Sequence, residues 1–309
     1  MTKTPLIRLG TRRSPLAMAQ AHEARARLCA AHEWDESAVE LVPVIADGDK
    51  VQDRALADLG GKALWTRGLD QWLAEGRIDA AVHSLKDVET IRPQEIALAA
   101  ILPRADRRDV LLGASSIASI PQGARLGTSA PRRAAQMQNL RPDIEVVLFR
   151  GNVATRMAKL QAGEADVTLL AAAGLERLGE HGVGTPLEVE DWLPAPSQGA
   201  IGIECRTGDA RTRDALAAID DAATRAEVSV ERGVLEALGG SCHSPVGLLA
   251  QAEGQRISLA AALFSAEGAE RIDGACELSA DDVDAIRDFA ADLLARATPG
   301  IRALFTGDQ

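Results

Sequence analysis

The sequence predicts an α/β protein built on parallel sheets, followed by a smaller α+β unit at its C-terminal end. Three observations carry this. Short apolar runs alternate with longer helical patterns through most of the chain, the order that produces parallel α/β layers. The segment LDQWLAEGRIDAAVHS (69–84) is echoed by RMAKLQAGEADVTLLA (156–171): helix, glycine, two residues, aspartate, buried strand. From about residue 222 the pattern changes. An acidic, Ala-rich helical stretch there leads into strands with glycine-containing turns.

Taken in order, PLIRLG reads as a first strand. Gly10-Thr11-Arg12-Arg13 turns the chain, Ser14 caps the next helix and Pro15 stands behind it. LAMAQAHEARARLCAAH is that helix, and VELVPVIA is the second strand. The polar segment 47–65, interrupted by Gly48, Gly60 and Gly61, reads as a lid with Lys62 and Trp65 at its far end. TRGLDQWLAEG is helical. DAAVHS is a buried strand whose C-terminal end carries Ser84, Lys86 and Asp87, and ligands of open α/β sheets bind at such ends. VLLGAS, EVVLF and DVTLLA are further strands.

ARLGTSAPRRAAQMQ (124–138) repeats the first device: strand, Gly-Thr-Ser turn, then a helix opened by Pro131. Here Arg132 and Arg133 fall in the first helical turn. Unpaired N–H groups and the helix dipole already make that end positive, so each cation costs roughly 0.3–1 kcal/mol. An anion is expected to offset the cost. LFRGNVATR (148–156) places Arg150 and Arg156 around a third such turn. Backbone donors combined with guanidinium forks suit carboxylates or phosphates. If an external anion is what they hold, replacing Arg132 and Arg133 leaves the fold intact. In the C-terminal unit, Ser279 is expected to cap a helix with Val283, Ile286, Phe289, Ala290 and Leu293 on one face.

Charge narrows the function. Lys and Arg total 34 against 45 Asp and Glu, a net charge of −11, yet residues 125–156 hold six arginines and two acids. Aromatics are 3% and tyrosine is absent, so the basic surface with stacking rings that nucleic acid requires is missing. No apolar run has the length of a membrane span, and MTKTPLIRLG lacks an apolar signal region. A cytoplasmic protein with reduced thiols is expected.

The four cysteines form no C-x-x-C pair. Cys29 lies in a helix pattern, Cys205 in a strand pattern, and Cys276 within GACEL resembles them. Cys242 instead sits in the Gly/Ser/Pro loop GGSCHSP (239–245), where a thiol is accessible as a nucleophile or attachment point. His243 is its sequence neighbour, and neighbours seldom form a Cys-His pair.

LGTRRSPLA, GGKALW, AAVHSLKD, GTSAPRR, RGNVATR, LLAAAGLERLG, QGAIGIEC and GGSCHSPVG occur in one order and spacing from end to end. In this the chain resembles the porphobilinogen deaminase (hydroxymethylbilane synthase) family. The resemblance implies two doubly wound domains of the type II periplasmic-binding-protein kind and a small α+β domain. Domain 1 would comprise 1–103 and 199–221, domain 2 104–198, and domain 3 222–309. It implies a monomeric transferase that condenses four porphobilinogen molecules, with loss of ammonia, into linear hydroxymethylbilane. It also implies a dipyrromethane cofactor joined by a thioether to Cys242, and no metal. Asp87 matches the catalytic carboxylate. Arg12, Ser14, Ser84, Lys86, Thr128, Ser129, Arg132, Arg133, Arg150, Arg156, Arg177 and Gln198 match positions that bind acetate and propionate side chains of cofactor and substrate.

Three positions depart from the family pattern: Trp65 for phenylalanine, Asp58 for a lid lysine, and Ala130-Pro131 for Ser-Leu. Asp58 and Ala130 each remove a polar or cationic contact. Two alternatives remain at this level: an anion-binding or sensor protein on the same paired α/β domains, and a transferase using Cys242 as a transient nucleophile.

Overall fold

The computed structural model describes residues 5–44, 66–254 and 256–305. The 47–65 segment, with Asp58, Lys62 and Trp65, lies outside the described residues. The described chain divides into two compact units, one of residues 5–44, 66–105 and 199–225, the other of 106–198 and 226–305.

The chain opens with strand β1 (Ile7–Arg12) and helix α1 (Pro15–His32), capped by the Ser14 hydroxyl accepting from the Ala17 amide. Strand β2 (Val39–Val44), helix α2 (Arg67–Ala74), strand β3 (Ala80–Ser84) and strand β4 (Ile96–Ile101) follow. In the second unit come strands β5 (Asp109–Leu112) and β6 (Arg125–Thr128), helix α3 (Pro131–Leu140), strand β7 (Glu145–Leu148) and helix α4 (Val153–Gln161). Strand β8 (Val167–Ala171), helix α5 (Ala172–Arg177) and the short strand β9 (Thr185–Pro186) complete that sheet. The chain then returns to the first unit as strand β10 (Ile201–Arg206) and helix α6 (Ala210–Ala217). Helix α7 (Ala222–Ala237), strands β11 (Val246–Glu253), β12 (Arg256–Phe264) and β13 (Arg271–Leu278), and helices α8 (Val283–Arg296) and α9 (Pro299–Arg302) end it.

The two five-stranded sheets have one topology. Their orders are β2-β1-β3-β10-β4 and β7-β6-β8-β5-β9. In each, three parallel strands meet one antiparallel strand beside the third. The sequence echo is thus structural: α2–β3 corresponds to α4–β8, and the β1 turn to the β6 turn. Each sheet is covered on both faces, as a doubly wound fold requires. In the first, Leu9, Val82 and Ile203 pack with Ala21, Ala24 and Leu28 of α1, while Val44, Ile78 and Ala81 pack with Leu69 and Leu73 of α2. In the second, Leu126, Val167 and Leu169 pack with Met137 of α3 and Trp192. Val110, Leu112 and Leu170 form the opposite layer with α4 side chains. The shared Leu-Gly-Thr has one cause in both sheets. A Cβ at Gly10 would collide with Ile78, and one at Gly127 with the Phe149 ring.

The C-terminal residues form an antiparallel meander, β11-β12-β13, backed by α7 and α8 through Val230, Val234, Leu259, Leu263, Phe289 and Leu293. Helix α8 is capped by Asp282, whose carboxylate accepts from the Ala285 amide. Ser279 was expected in that role. It lies one turn too early, and its carbonyl accepts from Asp282 N–H instead. The architecture is α/β, two five-stranded mixed sheets sharing one strand order with a small α+β portion. Among the described residues no helix is long and apolar enough to cross a membrane.

Candidate active site

The expected site residues fall into clusters on the two units. On the first sheet, β1 and β3 are parallel neighbours, so the segments following them leave at the same edge. Arg12 ends β1 and Ser14 follows it. Ser84 ends β3, and Lys86 and Asp87 lie in a 3-10 turn, Leu85–Asp87, immediately beyond. That turn is fixed by Leu85, which is fully buried and donates its N–H to the Ala200 carbonyl at 3.1 Å. Asp87 is half-buried, and among the described residues its carboxylate has no hydrogen-bond or ion-pair partner.

The second cluster gathers at the equivalent edge of the other sheet. Thr128 ends β6 and is buried, and its hydroxyl accepts from the Ala130 amide at 3.1 Å. Ala130 itself offers α3 no side-chain cap. Arg150 is buried just beyond β7. Arg156, on α4, donates from Nε to the Gly151 carbonyl at 3.0 Å and from Nη2 to Ser129 Oγ at 3.4 Å. Arg177 ends the short helix that follows β8.

Arg132 and Arg133 are each 4% exposed, and the anion that offsets them lies within the protein. Asp109, fully buried at the first position of β5, accepts from Arg132 Nη2 at 2.6 Å and from Arg133 Nη2 at 2.7 Å. Trp192 Nε1 and Gln198 Nε2 also donate to it, each at 2.9 Å. Arg132 Nη1 binds the Leu193 carbonyl and Arg133 Nη1 the Leu169 carbonyl, both at 2.7 Å. Burial alone would raise the Asp109 pKa. The charges and hydrogen bonds of the two arginines outweigh it and hold the carboxyl well below the usual range. Burial, with Arg133 adding repulsion, lowers the Arg132 pKa. The expectation that both arginines can be replaced without harm to the fold is therefore corrected. Their removal would strand Asp109 in the interior.

Asp109 and Trp192 were not among the expected residues. The available signal was an aspartate at the head of the otherwise apolar strand DVLL, a position that demands a buried partner.

Cys242 is the exposed cysteine among the four, in a loop pinned by the Ser241 amide donating to Ser244 Oγ at 3.0 Å and the His243 amide donating to Ser241 Oγ at 3.2 Å. Its Sγ lies 3.6 Å from His243 Nδ1, so the sequence neighbours do meet, against expectation. Burial lowers the His243 pKa and favours the neutral ring. Burial instead raises the thiol pKa of Cys29, Cys205 and Cys276, which disfavours their reactive thiolates. Cys205 is fully enclosed, whereas Cys29 is half-buried with Sγ 3.8 Å from the Asp35 carbonyl.

A family described as porphobilinogen deaminase, dipyromethane cofactor binding domain, matches residues 7–214, and one described as porphobilinogen deaminase, C-terminal domain, matches residues 225–293. The porphobilinogen deaminase of Sphingopyxis alaskensis is 56% identical over 306 residues, covering 97% of this chain and 96% of its own. Two solved structures are more distant. The ligand-binding component of an ABC-type import system from Staphylococcus aureus is 13% identical with a TM-score of 0.41, covering 75% of this chain and 73% of its own. Substrate-binding domain 2 of Lactococcus lactis GlnP is 10% identical with a TM-score of 0.41, covering 70% of this chain and 88% of its own.

Proposed function

This chain belongs to the porphobilinogen deaminase family, and from that premise we propose how its residues divide the work. The family's reaction is the condensation of four porphobilinogen molecules, with loss of ammonia, into linear hydroxymethylbilane, a step of porphyrin and haem biosynthesis. The chain is a transferase using a dipyrromethane cofactor.

The single observation that carries the division is that one sheet ends in an acid, Asp87, without a partner among the described residues, while the other carries a cluster dominated by guanidinium groups. The residues fit a carboxylate-rich group joined through sulfur. Cys242 is exposed in a loop, and two arginines against one aspartate leave the buried cluster with excess positive charge. When bound, the dipyrromethane supplies the pyrrole carbon to which substrate units are joined.

Cys242 Sγ holds that group as a thioether. In the second unit Thr128, Ser129, Arg132, Arg133, Arg150, Arg156, Arg177 and Gln198 receive acetate and propionate carboxylates, and in the first unit Arg12, Ser14, Ser84 and Lys86 have the same role. Each pyrrole brings two carboxylates, which accounts for the number of cations. Asp87 stabilises the cation formed as ammonia leaves and accepts from pyrrole N–H groups. Lys62 and Trp65 serve a lid. We further propose domain limits of 1–103 with 199–221, 104–198 and 222–309. We also infer a monomer that acts in the cytoplasm, and one that does not bind nucleic acid, the last supported by net charge −11 and 3% aromatics. A bare anion sensor would need neither Cys242 nor Asp87, and a transient thiol nucleophile would leave Cys242 unmodified.

Intact mass tests the proposal. The purified chain is expected to exceed its sequence mass by two condensed porphobilinogen units. The excess survives denaturation and dithiothreitol, because a thioether is not reduced by thiols, and it maps to the Cys242 peptide. Cys242→Ser is expected at bare mass without activity. An adduct on another cysteine, or an active protein at bare mass, refutes the assignment.

A further inference from the structure

We infer that Asp109 is a positioning residue for carboxylate recognition, setting the geometry and net charge of the Arg132–Arg133 pair without itself touching substrate. The inference rests on the functional reading above.

The carboxylate receives five N–H bonds. Oδ2 accepts from Arg132 Nη2, Arg133 Nε (3.3 Å) and Trp192 Nε1, and Oδ1 accepts from Arg133 Nη2 and Gln198 Nε2. Two carboxylate oxygens offer about four lone-pair sites, so this group is saturated and has no capacity for a ligand. Three of its four partners, Arg132, Arg133 and Gln198, are residues assigned to ligand carboxylates.

Its place in the sheet separates this role from a purely structural one. Asp109 pairs with Ala171, the last residue of β8, and so stands at the sheet edge where Thr128 and Arg150 also emerge. Two buried guanidiniums side by side repel, and neither would hold one orientation. A single carboxylate between them fixes both forks and leaves one positive charge over for an incoming anion. An apolar residue at 109 would leave two charges unpaired, and a second acid would leave none.

The test compares Asp109→Asn with Glu204→Gln, which alters the buried acid of the other sheet away from that sheet's site edge. Both keep side-chain shape and both are expected to lower the melting temperature. Asp109→Asn is expected to carry at least tenfold less pyrrole adduct by intact mass and to raise KM for porphobilinogen in the loaded fraction. Glu204→Gln is expected to remain fully loaded. If Asp109→Asn yields no folded protein, Trp192→Phe decides, since it removes one bond to Oδ2 and no charge. A several-fold rise in KM with kcat unchanged supports the inference, and an unchanged KM overturns it. A folded Asp109→Asn protein with full adduct and wild-type KM also overturns it. A wild-type chain without adduct would instead refute the functional reading.

Discussion

In the first sheet the buried acid is Glu204, paired with Ala81 and three residues in from the Ile201–Ser84 pair that marks the site edge. In the second it is Asp109, which stands at that edge opposite Ala171. Glu204 is held by Arg92 through bonds of 2.9 and 2.8 Å, with His83 Nε2 3.3 Å away. Arg92 also ties in Asp70 and Glu89. That network fastens the start of α2 and the 89–92 segment to the sheet. The strand ends differ in the complementary sense. Leu85-Lys86-Asp87 follows β3, whereas Ala172-Ala173-Gly174 follows β8. One topology thus supplies, from one unit, a carboxylate without a partner among the described residues, and organised cations from the other. An ionic cluster deep in a sheet secures the fold, and the same chemistry at the sheet edge arranges a site.

Removing the cations of either cluster has the largest expected effect. Arg132→Leu with Arg133→Leu leaves Asp109 buried with only Trp192 and Gln198 donating to it. Stranding a buried charge in this way costs about 3–5 kcal/mol. Arg92→Leu strands Glu204 and should cost a similar amount. Urea unfolding is expected to show comparable losses, while intact mass shows the adduct missing from the double variant alone. Equal adduct content in both variants would erase the distinction between the two sheets.

Asp87→Asn tests the other half of the contrast. No internal bond is lost, so melting and adduct content should match wild type. Turnover should fall by about 10²–10³, the scale of a lost preorganised electrostatic group. Steady-state kinetics on the loaded protein measures it, and near-normal kcat would remove Asp87 from the chemistry.

Much of this arrangement was legible in the sequence. Period and punctuation gave most strands, the Ser14 cap, the Pro131 helix start and the repeated α–β unit, because each depends on residues within a few positions, but not β4 or the two-residue β9. The cost of Arg132 and Arg133 at a helix start correctly called for an anion. Its identity depends on β5 running antiparallel beside β8, a pairing that no local window contains. Ser279 and Asp282 show a smaller version of the problem: both are good caps, and the position at which the helix begins selects between them. The Cys242–His243 contact depends on a loop conformation set by Ser241 and Ser244, not on spacing.

The acid limb of stability sharpens the comparison further. Burial would raise the Glu204 pKa, but His83 and Arg92 outweigh it and bring it down to about 2. A carboxylate depressed in the folded state stabilises above its unfolded pKa, and that contribution is lost as pH falls towards the folded value. Relative to an ordinary glutamate the shift corresponds to roughly 3 kcal/mol, lost between about pH 4.5 and pH 2. Glu204→Gln should flatten this part of the stability–pH curve, as measured by urea midpoints at successive pH values. An unchanged slope in that variant would show that Glu204 contributes nothing to acid unfolding.

The smallest effect concerns the two equivalent helix starts. Ser14 accepts from the Ala17 amide at 3.3 Å and satisfies one orphan donor of α1. Ala130 occupies the corresponding position before α3 with extended backbone, φ −96° and ψ 115°, and provides no such bond. The first turn of α3 therefore relies on Arg132 and Arg133 being anchored from their side chains, to Asp109 and the Leu193 and Leu169 carbonyls. Ser14→Ala should destabilise by about 1 kcal/mol, and Ala130→Ser, which restores a cap oxygen in suitable backbone, should stabilise by a similar amount. In a chain of this size the two changes should move the melting temperature in opposite directions by about 2–4 °C. If Ala130→Ser instead leaves melting unchanged while Ser14→Ala lowers it, the arginine side-chain anchoring already holds the start of α3 in place without a cap. The two turns would then have reached the same stability by different bonds.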